Sequence, residues 1–174
     1  MSRFDNLNPW LITDMHLQHK NMVPYCGRPE DFTEQIIKNL QEKVKDDDIL
    51  IDLGDVIFGD SSKLAGYLST IPGTKILVVG NHDQKKVKWY MEQGYTFACD
   101  MFTWGRFVFT HRPLTSLPSG CDYNIHGHKH DTPWNDPRDP IVKKPWHLKL
   151  ALEEVGYGPI RLNDFLALNK LPSI

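Results

Sequence analysis

Apolar residues fall in short runs along the chain, and the period of those runs sets the predicted elements. Pro9–Thr13 reads as a short apolar strand that stops at Asp14. From Asp31 to Lys45, the residues Phe32, Ile36, Ile37, Leu40 and Val44 recur at helical spacing, and Asp31 with Glu34 three residues on forms a capping-box-like start. The acidic run Asp46-Asp47-Asp48 ends that helix as a solvated turn. Ile49–Leu53 reads as a short, β-branched buried strand, and Gly54-Asp55 follows it directly. Ser61–Thr70 reads as a helix, Pro72-Gly73 as a turn, Lys75–Val79 as a second buried strand ending at Gly80-Asn81, and Lys85–Gln93 as a helix closed by Gly94.

The second half of the chain changes character. Tyr95–Phe102 and Arg106–Thr110 read as strands joined by a turn at Thr103-Trp104-Gly105. Asp122–His126 is a strand running into a loop rich in glycine and histidine. Asp131–Pro140 holds three prolines and reads as an irregular surface loop, Trp146–Glu153 as a strand, and Leu162–Leu168 as a closing helix. Helices alternate with strands early and strands dominate late. The expected architecture is therefore α/β or α+β, a layered sandwich with mixed β-sheets and flanking helices. A length of 174 residues suits one domain spanning 1–174.

Composition narrows the functional classes. A net charge of −2 argues against a broad basic face for gripping duplex nucleic acid, but leaves room for a small phosphorylated substrate that needs one or two cations. Three cysteines without a CxxC spacing point to a reducing compartment, Met1–Asp5 shows no apolar signal-peptide core, and the apolar runs fall far short of the ~20 residues of a membrane span. The expected location is the cytoplasm, away from membranes. Oligomeric state stays open.

The chemistry concentrates in five segments: Asp14-Met15-His16, Gly54-Asp55, Gly80-Asn81-His82-Asp83, His111, and Gly127-His128-Lys129-His130. Asp14, Asp55, Asn81, His111 and His128 each lie just past the end of a predicted strand, the edge where open α/β sheets bind ligands. Asp14, His16, Asp55, Asn81, His111, His128 and His130 supply oxygen and nitrogen donors without thiolate, a set suited to Mn²⁺, iron, Zn²⁺ or Ni²⁺. Seven donors are too many for one ion and suit two, and two ions ~3.5–4 Å apart can clamp a phosphoryl group. Glycines at 54, 80 and 127 are read as turning the backbone so that the next side chain enters the site.

The ordered set D-x-H, G-D, G-N-H-D, H, G-H-x-H, over about two thirds of the chain, resembles the calcineurin-like metallophosphoesterases. The short length, Tyr25-Cys26-Gly27-Arg28-Pro29 and the segment Leu150–Val155 are similar to the small, single-domain branch of that family. The resemblance implies a sandwich of two mixed sheets and a phosphoesterase acting through a hydroxide that bridges two metal ions. It implies that Asp14, His16 and His130 hold one ion, that Asn81, His111 and His128 hold the other, and that Asp55 bridges them. It further implies that His82 protonates the leaving oxygen or stabilises transition-state charge, with Asp83 orienting it. Arg28 and Arg112 are candidate contacts to the substrate phosphate, because guanidinium forks match phosphate oxygens.

Each block has a plainer reading by itself: a turn after a strand, an Asn81 helix cap, a loose histidine tract. Their occurrence together in this order favours the metal site. His126 is assigned to its strand, and His19 and His147 to surface or packing roles. Trp134, in the loop after His130, is a candidate for stacking on a substrate base, and Tyr25 a weaker one. The family hydrolyses both phosphodiesters and phosphomonoesters. A compact chain with few basic residues favours a small substrate such as a nucleotide or cyclic nucleotide. The alternatives are a phosphoprotein phosphatase or nuclease of the same fold, or a non-catalytic metal-binding scaffold, which would be free to lose His82 and the ligands. No P-loop, G-x-G-x-x-G or G-x-S-x-G motif is present.

Overall fold

A computed structural model describes residues 7–134 and 136–173. The reading of Met1–Asp5 and the outermost residues of the 1–174 span lie outside the described residues. Among the described residues, nine strands form two sheets. The first has the order β4 (Phe97–Cys99), β3 (Thr74–Val78), β2 (Ile49–Asp52), β1 (Trp10–Ile12), β9 (Ile160–Arg161). Its first four strands are parallel and β9 is antiparallel to β1. The second has the order β5 (Met101–Trp104), β6 (Phe107–Thr110), β7 (Tyr123–His126), β8 (His147–Lys149), with only the β5–β6 pair antiparallel. The expected α/β sandwich of two mixed sheets flanked by helices is the observed fold.

Alternation along the strands explains the layers, since successive strand residues point to opposite faces. Leu11, Ile51 and Val78 face the second sheet and pack with Phe107, Phe109, Ile125 and Leu148. Their neighbours Ile12, Leu50 and Leu77 face the other way, against Phe32, Ile36, Ile37 and Leu40 of helix α2 (Phe32–Lys43) and Leu64 and Leu68 of α3 (Leu64–Ser69). A helix of seven residues, α4 (Val87–Gln93), adds Tyr90 to that layer, and α5 (Leu162–Leu168) closes the space between the sheets with Phe165 and Leu166. No described helix is long and apolar enough to cross a membrane.

Several local expectations are corrected. Tyr95–Phe102 is not one strand: the chain bends at Asp100, and β4 and β5 join different sheets. The predicted strand Trp146–Glu153 stops at Lys149 and gives way to a 3-10 turn at Leu152–Glu154. A short helix, α1 (Met22–Cys26), forms where no element was expected. Asp31 makes no side-chain cap; its carboxylate accepts from the Gln35 side chain. Asp48 accepts from the Trp10 indole and pairs with Arg161, so it ties β1 and β9 to the end of α2 instead of being merely solvated.

One buried carboxyl has a measurable consequence. Asp52 closes β2 at 0 % exposure. It accepts from the Tyr95 hydroxyl and the Gly54 amide, yet burial pushes it up from 3.8 to about 8. The native state therefore keeps a proton that the unfolded chain releases near 3.8, and this group makes stability fall as pH rises from about 4 to about 8. Asp52→Asn cannot titrate. Its melting temperature, measured on metal-free protein, should fall less over that window than that of the parent chain. Superimposable pH–melting curves would refute the assignment.

Candidate metal centre

The loops that leave the C-terminal ends of β1, β2, β3, β6 and β7 meet at one edge of the sandwich, so both sheets contribute to the site. Backbone bonds fasten these loops to one another: Asp14 N–H donates to Gly54 O at 2.9 Å, His16 N–H to Asp55 O at 2.8 Å, and Leu17 N–H to Val56 O at 3.0 Å. Five of the seven candidate ligands, Asp14, His16, Asp55, His128 and His130, have φ between 44° and 66°. Non-glycine residues in that region are uncommon and cost about 1–3 kcal/mol each, a form of strain that collects at functional sites. The glycines therefore act differently from expectation. Gly54 does turn with φ 95°, but the ligands themselves make the other turns. Gly80 and Gly127 provide room: a Cβ on Gly80 would sit 2.2 Å from Asp55 Oδ1, and one on Gly127 1.8 Å from Thr13 Oγ1.

Among the described residues, two groups gather the expected ligands, Asp14–His16–His130 and Asp55–His111–His128, and a third, Cys26–His130–Glu153, shares His130. Asp14 is fully buried, and Oδ2 accepts from Thr13 Oγ1 at 2.7 Å and His128 N–H at 2.9 Å. Its other oxygen, Oδ1, is buried without a hydrogen-bond partner and lies 3.6 Å from His130 Nε2 and 3.9 Å from His16 Nε2. A buried carboxylate oxygen left unpaired is costly unless something positive binds it. Asp55 fixes Oδ1 by accepting from His82 N–H at 2.8 Å. Its Oδ2 stands 3.5 Å from His16 Nε2 and 3.3 Å from His111 Nε2, one imidazole from each cluster. Asn81 Oδ1 lies 3.0 Å from His111 Nε2 and so joins the second cluster. These donor atoms, pointing at shared points with one carboxylate oxygen between, fit divalent cations.

The histidines differ in readiness to bind. Burial depresses His16 to about 4, against the pull of Asp14 and Asp55, and burial together with the neighbouring His111 depresses His128 to about 4. Both rings are neutral, as ligands must be. Burial also opposes charge on His111, but its hydrogen bond to Asp55 and the Asp14 and Asp55 carboxylates outweigh that and lift it to about 9. His111 Nδ1–H donates to Leu53 O at 2.7 Å, which turns Nε2 toward the cluster.

Arg28 and Asp83 take roles other than those expected. Arg28 is 2 % exposed, with its guanidinium turned into the protein. Its Nη1 donates to Met15 O at 2.9 Å and its Nη2 to Asp14 O at 2.8 Å, while Nε and Nη2 donate to Glu153 Oε1 at 2.8 and 2.6 Å. The same Glu153 oxygen accepts from His130 Nδ1 at 3.2 Å, which aims Nε2 of that ring at Asp14. Asp83 does not hold the His82 ring: its carboxylate accepts from the backbone amides of Gly80, Asp55 and Val56, binding the loop after β3 to the loop after β2. His82 and Asn81 are exposed in the turn after β3, and Arg112 is exposed beside His128 and Asp139.

Sequence reading missed Glu153 and Asp139. Asp139 Oδ2 lies 3.3 Å from His128 Nε2 and accepts from the buried Lys129 ammonium at 3.0 Å. Trp134 does not reach over the site. It stacks on His147 with ring centroids 5.1 Å apart and meets His126 edge-on, anchoring its loop to β7 and β8.

Residues 7–171 match the calcineurin-like phosphoesterase family. An uncharacterized protein of Methanocaldococcus jannaschii is 29% identical over 167 residues, covering 91% of this chain and 89% of that protein. The Gene 66 protein of Mycobacterium phage L5 is 32% identical over 82 residues, 44% of this chain and 40% of that protein. The crystal structure of a protein of unknown function from Aquifex aeolicus superposes with a TM-score of 0.69 at 26% identity, over 94% of this chain and 100% of the other. With the ligand clusters at the expected edge and nearly the whole length matched, this chain belongs to the calcineurin-like phosphoesterases, metal-dependent hydrolases of phosphoesters.

Proposed function

We propose that the protein is a dinuclear phosphoesterase acting on a small, nucleotide-like phosphodiester or phosphomonoester in the cytoplasm. The observation that carries this reading is Asp55: a single carboxylate oxygen lies between an imidazole of each cluster, at 3.5 and 3.3 Å. Asp14, His16 and His130 would hold one cation, and Asn81, His111 and His128 the other. The nitrogen and oxygen donors favour Mn²⁺, iron, Zn²⁺ or Ni²⁺. Divalent cations bound there would act as Lewis acids toward a phosphoryl oxygen and acidify water at neutral pH. The three free cysteines agree with a reducing compartment.

The chain's own residues supply the rest. The His82 amide is tied to Asp55, and the ring projects from the exposed turn with its centroid 5.4 Å from that of His16. An imidazole beside the centre would donate a proton to the leaving oxygen or stabilise negative charge there. Arg112 lies on the His128 side, where its guanidinium would meet the substrate phosphate.

The test is one panel. Protein loaded with Mn²⁺, Ni²⁺ or Zn²⁺ is assayed on bis-p-nitrophenyl phosphate, p-nitrophenyl phosphate and 2′,3′-cyclic nucleotides, with bound metal counted by elemental analysis. Two ions per chain are expected, and a stoichiometry of one would reject the dinuclear centre. His82→Ala should retain its metal and lose ~10²–10⁴ in rate, as removal of a general acid does. Undiminished turnover in that variant would remove His82 from the mechanism.

A further inference from the structure

We infer that the groove beside His82 is a subsite for the planar ring of a nucleotide leaving group, with Phe58 as its stacking surface. The inference rests on the phosphoesterase reading above and adds the place and the residue that would receive the substrate's ring. The groove measures about 240 Å³ and is lined by Phe58, Ser61, Gln84, Lys85 and Trp89 together with His82. That is below the roughly 300–1,000 Å³ of a site for a whole drug-sized ligand, a size that suits one ring system.

Position gives the groove its meaning. An acid that protonates the leaving oxygen stands beside that oxygen, so the group attached to it lies next to His82. The surface met there is aromatic. Phe58 is 40 % exposed, so part of its ring is open to a ligand. Its ring meets His82 edge-on with centroids 5.9 Å apart, and it packs on His19, whose ring centroid is 3.8 Å away. His19 in turn packs at 5.7 Å from His16 and 6.3 Å from Tyr25, which is 70 % exposed. A chain of rings therefore runs outward from a candidate metal ligand to the surface, past the groove. Ser61, Gln84 and Lys85 on the groove's wall add a hydroxyl, an amide and an ammonium for the polar edge of a base or its sugar. Base-on-aromatic stacking contributes about 1–3 kcal/mol, or about fivefold to more than a hundredfold in affinity.

Binding of three phosphate monoesters to the Mn²⁺-loaded protein, followed by calorimetry, tests this. Adenosine 5′-monophosphate should bind at least about tenfold more tightly than ribose 5-phosphate, which carries the same phosphate and sugar without the ring. It should also bind more tightly than phenyl phosphate, which offers a ring but no polar edge. Phe58→Ala should bring the affinity for adenosine monophosphate down toward that for ribose 5-phosphate at unchanged metal content, and Phe58→Trp should restore it. Equal binding of adenosine monophosphate and ribose 5-phosphate overturns the subsite and leaves the phosphoesterase reading intact. Tighter binding of phenyl phosphate than of the nucleotide overturns the nucleotide assignment. Loss of metal from Phe58→Ala overturns the stacking role, because Phe58 would then be supporting the centre. Failure of the underlying reading looks different: no phosphate ester is hydrolysed with any metal.

Discussion

Asp55→Asn abolishes two-ion binding and lowers turnover by at least about 10³-fold, while the chain still folds. The substitution removes one charge and keeps the shape. An asparagine oxygen can still accept from the His82 amide as Asp55 Oδ1 does at 2.8 Å, so the loops after β2 and β3 stay joined. What is lost is the anion at Oδ2, the atom within 3.5 Å of both His16 and His111. Burial opposes charge on Asp55, but the hydrogen bond to His111 and the charge of that ring hold its carboxyl well below the usual range, so it is ionised at any physiological pH. An amide bridges two cations poorly, and Lewis-acid activation worth several kcal/mol disappears with them, each 1.36 kcal/mol being tenfold in rate. Elemental analysis, circular dichroism and the phosphoester panel read the three effects separately. Two ions retained with near-normal turnover would show that Asp55 does not join the clusters.

Arg28→Ala destabilises the protein by about 3–5 kcal/mol, the cost of leaving one partner of a buried ion pair uncompensated. The Arg28 side chain is 0 % exposed and that of Glu153 7 %, and the guanidinium also satisfies the carbonyls of Asp14 and Met15. For a chain of this length that corresponds to a fall of about 10 °C in melting temperature. Metal affinity should fall with it, because Glu153 loses the charge that fixes it against His130. Arg28→Lys keeps the charge but not the fork, and should recover only part of the loss. A surface arginine that merely greets the phosphate predicts the opposite: unchanged melting, unchanged metal and a raised KM. Observing that pattern would return Arg28 to the substrate and remove it from the framework.

How far the sequence reached can be judged residue by residue. The strand-to-loop junctions carrying Asp14, Asp55, Asn81, His111 and His128 were legible because they are local: a short apolar run, then a glycine or a polar turn, then a ligand-type side chain. The helix over Phe32–Leu40 was legible from its 3.6-residue spacing. The break at Asp100 was not. A run of strand-forming residues does not say which neighbour it will pair with, and here its two halves pair with β3 in one sheet and β6 in the other. Trp134 and Phe58 are a second instance. Both are aromatic residues in loops near ligands, but the first is spent on His147 and the second lines the groove beside His82.

The order and chemical type of the metal-ligating side chains, and the strand ends that present them, were set by the sequence alone, because turn chemistry and ligand type are properties of a few adjacent residues. The direction each charged group faces was decided only in three dimensions. Glu153 lies 125 residues from Arg28 and 23 from His130, yet one of its oxygens holds both. Asp83, next to His82, instead holds the backbone of Asp55 and Val56. Burying an ion is tolerable only when partners surround it, and those partners come from whichever segments the packing of the two sheets brings together.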